Sequence, residues 1–186
     1  MKRTIVTLKS LATIIMILSA GAQPKPPQFS PPALITSAGQ NAEVQMVAVL
    51  AKRAGLDHNL NKLATAEDLS GQRTLILVLG ASLKGLGAAG LDISKEMNRV
   101  QGLVEAARQK NIPVLCLHLG GEERRGAQSD EFIKAFLPAA RMAIVVKSGN
   151  KDGLFTRLCQ EHSIVLVEVE KTVEALEPLK KAFALS

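Results

Sequence analysis

Apolar runs alternate with amphipathic stretches along the chain from residue 33 onward. Short apolar runs predict strands at 33–36, 60–65, 73–79, 112–118, 142–147 and 164–168, of which the second is notably polar. Helical spacing of apolar residues predicts helices at 41–54, 153–162 and 172–185, with Pro178 as a break or restart in the last. Two further helices are predicted to begin at the N-caps Asp92 and Ser129.

This alternation of strands and helices predicts an α/β fold. The run at 73–79 is apolar at nearly every position, as in a strand covered by helices on both faces. We therefore expect a three-layer sandwich with a mostly parallel sheet of five or six strands. The expected strand order is flavodoxin-like, 2-1-3-4-5 with a sixth strand at the edge, although segment 66–72 is short for a crossover connection.

The first 22 residues have the features of a secretory signal peptide. Lys2 and Arg3 precede a mostly apolar stretch, and Ala20 and Ala22 place small residues before a cut at Gln23. A membrane anchor is the rival interpretation, but the unbroken apolar run at 11–22 is short for a hydrocarbon core of ~30 Å. The segment therefore predicts cleavage and export to the periplasm or the exterior, with no stable membrane anchor afterwards.

Residues 23–32 contain five prolines in ten positions and predict an extended tether, which leaves 33–186 as a single α/β domain. The signal segment holds three cations and no acid, so its removal lowers the formal net charge from +6 to +3. This mild charge and the absence of Tyr and Trp disfavour binding to nucleic acid. The lack of these aromatic side chains also disfavours a carbohydrate site.

Glycine-rich and polar segments follow the predicted strands, whose carboxyl ends share one edge of a parallel sheet. Ligands of such folds bind at this edge, where glycine lets backbone N–H groups approach and arginine can bind a carboxylate or phosphate. We therefore predict a site for a small anionic or polar molecule. The predicted ligand-binding residues are Ser37, Gln40, Ser82, Lys84, Gly85, Gly120, Gly121, Arg124, Arg125, Ser129, Asn150 and Asp152.

Two other functions stay open at this point. An exported hydrolase or transferase would use His118 as general acid/base, with Asp130 or Asp152 assisting and Lys84 or Arg125 stabilising developing negative charge. An interaction domain would use the same loops to contact a protein partner. The glycine segments could also be plain turns, and Arg124 and Arg125 could simply pair with the two glutamates that precede them.

No cofactor and no metal are predicted. Segment 85–90 matches the G-x-G-x-x-G spacing of dinucleotide sites, but it does not directly follow the first strand. A flavin site usually adds an aromatic lid, for which the chain has no Trp or Tyr, and three histidines with two cysteines in apolar stretches give weak support for a metal. Cys116 and Cys159 are either two buried thiols or a disulfide, since export permits both.

The loops together resemble an uncharacterised family of exported bacterial α/β domains. The resemblance covers nearly the whole mature chain and rests on the segments 33–40 (ALITSAGQ), 82–90 (SLKGLGAAG), 118–126 (HLGGEERRG) with Ser129 and Asp130, and 149–153 (GNKDG). It implies export and a joint role for the four loops. It implies no reaction.

Overall fold

The computed structural model describes residues 29–185, so the predicted signal peptide and most of the predicted tether lie outside the described residues. Within them, six parallel strands form one sheet in the order β2-β1-β3-β4-β5-β6. The strands are β1 (Ala33–Ala38), β2 (His58–Leu60), β3 (Thr74–Leu79), β4 (Val114–His118), β5 (Ala140–Val146) and β6 (Val165–Val169). This order confirms the flavodoxin-like prediction and places the sixth strand at an edge.

Helices cover both faces of the sheet. Within the described residues they are α1 (Glu43–Arg53), α2 (Leu83–Ala88), α3 (Ile93–Gln109), α4 (Ala127–Phe136), α5 (Leu154–Glu161) and α6 (Leu176–Ala182). On one face α3, α4 and α5 pack a core that includes Leu103, Phe132 and Phe155. On the other face α1 and α6 pack a core that includes Val47 and Leu179.

The central strands are apolar on both sides because helices cover both sides. All six residues of β1 and all six of β3 are buried. Alternate side chains of β3 enter opposite cores: Leu75 and Leu77 join the core under α3, whereas Ile76 and Val78 join the core under α1. Residues 29–185 contain this sheet and both of these cores.

The predicted bounds of the second strand, 60–65, are wrong. The strand is His58–Leu60 and pairs with only three residues of β1. Asn61 ends the strand, because its Oδ1 accepts a hydrogen bond of 3.0 Å from Leu63 N–H and its Nδ2 donates to Asp68 at 3.1 Å. Such local side-chain bonds form a turn that competes with the sheet ladder.

The predicted N-cap at Ser129 is also wrong, because α4 begins at Ala127. The Ser129 hydroxyl instead accepts a hydrogen bond of 2.9 Å from Ala81 N–H, in the segment after β3. That segment was interpreted as a loop, yet it contains α2, whose N-cap Ser82 accepts from Gly85 N–H at 3.1 Å. Two glycines within the six residues of α2 lower its helix propensity and hide the helical pattern.

The predicted helix at 172–185 consists of two pieces. A 3-10 turn at Thr172–Ala175 precedes α6. Pro178 lies within the first turn of α6, where its missing N–H costs no helical hydrogen bond. The break therefore precedes the proline.

Cys116 on β4 and Cys159 on α5 are free thiols buried in the same core. Burial raises the pKa of Cys116, and it raises the pKa of Cys159 to about 11. Both groups are therefore neutral thiols of low reactivity. Across residues 29–185, no helix has the length and the apolar character that crossing a bilayer requires.

Candidate functional site

The segments that follow β1 and β3 are hydrogen-bonded to each other at the carboxyl edge of the sheet. Ser82 N–H donates to Gly39 O at 2.9 Å, and Gln40 and Ala81 form an antiparallel bridge. The strand order reverses between β1 and β3, and in open doubly wound sheets such a reversal opens a crevice for ligands. Here the chain itself fills the crevice.

Two glycines allow this close approach. Gly39 has a φ of +108°, which favours glycine, and a Cβ at this position would overlap Gly80 O. Gly85 has ordinary helical backbone, but a Cβ on it would overlap Gln40 O. Gly85, a predicted ligand contact, is thus a packing position against the neighbouring loop.

We call the contact between the segments after β1 and β3 the junction. A buried ion pair on α3 stabilises it. Glu96 is fully buried, and its Oε1 accepts hydrogen bonds from Gly39 N–H at 3.0 Å and from Gln40 Nε2 at 3.1 Å. Arg99 donates from Nη2 to Glu96 Oε1 and from Nε to Oε2, both at 2.8 Å. It also donates to two backbone carbonyls, Ser37 O at 2.6 Å and Ala64 O at 2.7 Å. The pair therefore fixes the segments after β1 and β2 together.

Ser37 and Asn41 complete the junction. Ser37 is fully buried, and its Oγ accepts from Asn41 N–H at 2.9 Å. Asn41 Nδ2 donates to Val78 O at 2.8 Å and to Gly80 O at 2.9 Å, while its Oδ1 has no donor among the described residues. Ser37 offers a ligand no exposed surface, so its role in this structure is structural.

Beside the junction lies a cleft of about 650 Å³, within the usual range for small-molecule sites. Its lining residues are Gln40, Asn41, Ala42, Lys62, Leu63, Ser82, Lys84, Gly85, Ala88, Ala89 and Arg124. Lys62 and Lys84 are exposed, and neither has an acid partner within residues 29–185. Arg124 Nε donates to Glu43 Oε1 at 2.7 Å. Three cations and one paired carboxylate leave the cleft positively charged.

Arg125 belongs to a second group, formed by the loops after β4 and β5. Its Nε and Nη2 donate to Asp130 at 2.6 and 3.0 Å, and its Nη1 and Nη2 donate to Asp152 at 3.0 and 2.9 Å. Nη1 also donates to Gly149 O, and the guanidinium lies 5.7 Å from the centre of the Phe155 ring. A guanidinium has five N–H donors, so the protein itself uses all of them.

The second group carries a net negative charge, because one guanidinium faces two carboxylates. Hydrogen bonds from Arg125 are the largest cause of the lowered pKa of Asp130 and of Asp152, and the same bonds raise the pKa of Arg125. All three predicted site residues are therefore charged and engaged with one another. Their hydrogen bonds hold the loops after β4 and β5 together, and they leave Arg125 no N–H donor for an anion.

His118 is 1 % exposed beneath these loops. Its Nδ1 lies 3.0 Å from Leu79 O, and its Nε2 lies 3.2 Å from Gly121 O. Burial is the largest cause of its lowered pKa, so the ring is neutral and only one of its nitrogens carries a hydrogen to donate. Neither ring nitrogen contacts a carboxylate of the described residues, and Asp130 is bound elsewhere. The imidazole ring therefore packs inside the structure and contacts backbone carbonyl groups, where a substrate has no access to it.

The other predicted contacts also support loops. Asn150 Oδ1 accepts from Phe155 N–H at 2.9 Å and so satisfies the start of α5. Gly120 packs against the Arg124 side chain so closely that a Cβ would overlap it. Gly121 has a φ of +63° and leaves similarly little room. Of the predicted residues, the cleft unites Gln40, Ser82, Lys84, Gly85 and Arg124, and it excludes the remainder.

Sequence reasoning missed Lys62, Glu43 and the Glu96–Arg99 pair. Lys62 follows the strand whose bounds were predicted wrongly. A signal did exist for Glu96, which falls on the apolar stripe of α3 one turn before the buried Val100. A charged side chain on a buried stripe requires a partner, and Arg99 is three residues away on the same helix.

The fold and this edge define a doubly wound α/β sandwich whose reversal crevice is sealed by its own loops. The chain belongs to the family described as Domain of unknown function (DUF6305), whose model matches residues 30–183. This membership confirms the resemblance to a family without an assigned function. No curated protein matches the chain.

Solved structures with similar architecture share little sequence with this chain. A G-D-S-L family protein from Desulfitobacterium hafniense DCB-2 is 16% identical, with 73% of this chain and 75% of that chain covered and a TM-score of 0.34. The SGNH-hydrolase family esterase AlinE4 is 14% identical, with 77% of each chain covered and a TM-score of 0.30. A GDSL-like lipase from Bacteroides thetaiotaomicron VPI-5482 is 13% identical, with 73% and 66% covered and a TM-score of 0.34. Identities and scores this low carry no functional information.

Proposed function

We propose that the protein is an exported binding domain whose cleft, lined by Lys62, Lys84 and Arg124, captures a small anionic or polar molecule. The observation that carries this proposal is the pair of exposed lysines beside the sealed junction, neither of which has an acid partner among the described residues. An ammonium group is a compact charge that binds carboxylates and phosphates. Ser82 and Gln40 line the same cleft and add polar groups that can orient a ligand.

The rigidity of the cleft wall supports binding. Gln40 Nε2 donates to Lys62 O at 3.0 Å as well as to Glu96, so one side chain ties the Lys62 backbone to the buried ion pair. Because these backbone positions are fixed before a ligand arrives, less conformational entropy is lost on binding. The alternative hydrolase or transferase gains no such support, since His118 is buried and its predicted assistant Asp130 is held by Arg125.

The proposal is tested by thermal unfolding of the chain that begins at Gln23. Inorganic phosphate, citrate and glutamate are added separately at constant pH and ionic strength. At a ligand concentration a hundredfold above the dissociation constant, the stabilisation of about 2.7 kcal/mol raises the Tm of a domain of this size by roughly 5–10 °C. We expect at least one of these anions to give such a shift.

The double variant Lys62→Gln, Lys84→Gln identifies the site. We expect it to weaken the binding of the active anion by about tenfold or more, because both positive charges are lost. The control variant Lys134→Gln, Lys181→Gln changes the net charge equally at exposed positions outside the cleft and should bind as the wild type does. An absence of any shift, or equal losses in the two variants, would contradict anion capture in this cleft.

A further inference from the structure

The opposite edge of the sheet, where the strands begin, collects positive charge. Each helix between two parallel strands runs back along the sheet, so its last turn lies at this amino edge. Last turns favour cations because of the helix dipole. The basic residues in these last turns are Lys52 and Arg53 on α1, Arg108 on α3, Lys134 on α4, and Lys180 and Lys181 on α6.

Three further cations lie at this edge, and two of them, Arg73 and Arg141, stand at the starts of strands, where no helix dipole favours a cation. Arg73 directly precedes β3, Lys110 follows α3, and Arg141 is the second residue of β5. We call these three residues the basic edge. The strands β3, β4 and β5 are neighbours in the sheet, so the positions at their starts lie only one or two strand spacings of roughly 4.8 Å apart.

Two adjoining clefts connect the members of the basic edge. Arg141 lines one cleft with Arg108, and Arg73 and Lys110 line the other. The two clefts share three lining residues, Asn111, Ile112 and Pro113. The four cations therefore form one continuous surface across the starts of the central strands.

Three of these four cations have no acid partner among the residues that the structure describes. Arg73, Lys110 and Arg141 are all exposed, and none has an acid partner within residues 29–185. The nearby Glu105 is already engaged by Arg108, which donates to it from Nε at 3.0 Å and from Nη2 at 2.7 Å. At the opposite edge, by contrast, Arg125 is surrounded by carboxylates.

The chain enters the described structure at this same surface. Ser30 lines the cleft of Arg73 and Lys110, and Phe29 N–H donates to Ala182 O at the end of α6. In the sequence, six residues (23–28) separate Phe29 from the apolar run at 11–22. Fully extended, six residues reach roughly 20 Å. While the apolar run is still attached to the chain, it would keep the basic edge at short range from the membrane, before the expected cleavage.

We propose that the basic edge docks onto an anionic lipid surface, with Arg73, Lys110 and Arg141 contacting the phosphate groups of the lipid heads. Clustered Lys and Arg residues next to a membrane segment are attracted by anionic lipids, and the attraction adds up over the charges. Docking orients the sheet with its amino edge toward the membrane and its carboxyl edge away from it. The cleft of Lys62 and Lys84 then faces the aqueous side, and the two proposals stand independently of each other.

The test uses the chain that begins at Gln23, which lacks the apolar run and keeps the whole described structure. Sedimentation is measured with vesicles of phosphatidylcholine alone and of phosphatidylcholine mixed with phosphatidylglycerol. We expect binding only to the mixed vesicles and loss of binding at high salt. The triple variant Arg73→Gln, Lys110→Gln, Arg141→Gln should weaken this binding on the order of a hundredfold.

A matched control removes three lysines from the opposite edge, in the variant Lys147→Gln, Lys151→Gln, Lys171→Gln. These residues are exposed, so both variants should fold, which their thermal unfolding verifies. The control should retain most of the wild-type binding. Equal losses in the two variants, no binding of the wild type to mixed vesicles, or retention by a soluble polyanion such as heparin without vesicle binding would overturn the proposal.

Discussion

The two halves of the carboxyl edge contain similar residues in different environments. In the half formed by the segments after β1 and β3, the Glu96–Arg99 pair is buried, with 0% and 11% of the two side chains exposed. In the half formed by the loops after β4 and β5, Arg125 is equally buried, but its partner Asp152 is 55% exposed. The first pair lies inside the structure, and the second stands at its surface.

This difference decides which charges are left for a ligand. Glu96 and Arg99 satisfy backbone groups of the junction, and within residues 29–185 no acid pairs with Lys62 or Lys84 outside it. In the other half every donor of Arg125 is used by Asp130, Asp152 and Gly149 O. An arginine in a glycine-rich loop therefore indicates a binding site only when its own chain leaves donors unused.

The largest effect is expected when Glu96 is removed. The change Glu96→Ala leaves Arg99 buried without its counter-charge, Gly39 N–H without its acceptor and Gln40 Nε2 with one of its two acceptors, so the free energy of unfolding should fall by about 3–5 kcal/mol. Urea unfolding measures the change. The control Glu105→Ala breaks a pair of the same spacing on the same helix, but at an exposed site, where solvent screens the charges, and should cost far less. Similar losses in both variants would show that the buried pair has no special role.

A smaller effect on the free energy of unfolding is expected when a methyl group is added at the junction. The change Gly85→Ala places a Cβ onto Gln40 O and should lower the free energy of unfolding by about 1–3 kcal/mol through overpacking. The change Gly87→Ala lies in the same helix with open space around it, and should be neutral or stabilising by up to about 1 kcal/mol. Urea unfolding of both variants compares them directly. A neutral Gly85→Ala would contradict the tight seal between the two segments.

The sequence predicted the fold well because the strands carry their own signal. Buried runs such as 73–79, together with helical stripes between them, predict a parallel sheet, and the single hand of connections between parallel strands reduces the number of possible strand orders. The errors are confined to single elements. Asn61 ends β2 through side-chain bonds that no apolar pattern shows, and Gly85 of α2 serves a contact with the distant segment after β1.

The site was predictable only in part. Its location at the carboxyl edge follows from the fold, and Gln40, Ser82, Lys84 and Arg124 do line the cleft. Whether a charge is satisfied depends on partners far apart in sequence, as between Arg125 and Asp152, which are 27 residues apart. Pattern analysis places both residues at one edge, but it cannot show that they bind each other.

The next largest effect is expected in the pH dependence of stability, which distinguishes the two halves of the carboxyl edge. Asp130 and Asp152 have a lowered pKa when folded, so Arg125 stabilises the protein above the unfolded pKa of about 4, and this contribution is lost as the pH falls further. The change Arg125→Gln should therefore cost on the order of 1 kcal/mol at pH 7, and the cost should shrink below about pH 4. Urea unfolding across pH values measures the difference. The control is Arg141→Gln, because Arg141 has no acid partner among the described residues. Its effect on the free energy of unfolding should not depend on pH. A cost of Arg125→Gln that stays constant with pH would contradict the ion-pair assignment.

The smallest effect on stability is expected at the lysines of the cleft. The double change Lys62→Gln, Lys84→Gln removes no ion pair of the described residues, so the free energy of unfolding without ligand should change by less than about 0.5 kcal/mol. Two neighbouring positive charges repel each other, so a slight stabilisation is the expected direction. Urea unfolding in a buffer without multivalent anions measures this value. A loss comparable to that of Glu96→Ala would place the lysines among the structural charges, and the contrast between satisfied and available charge at this edge would then fail.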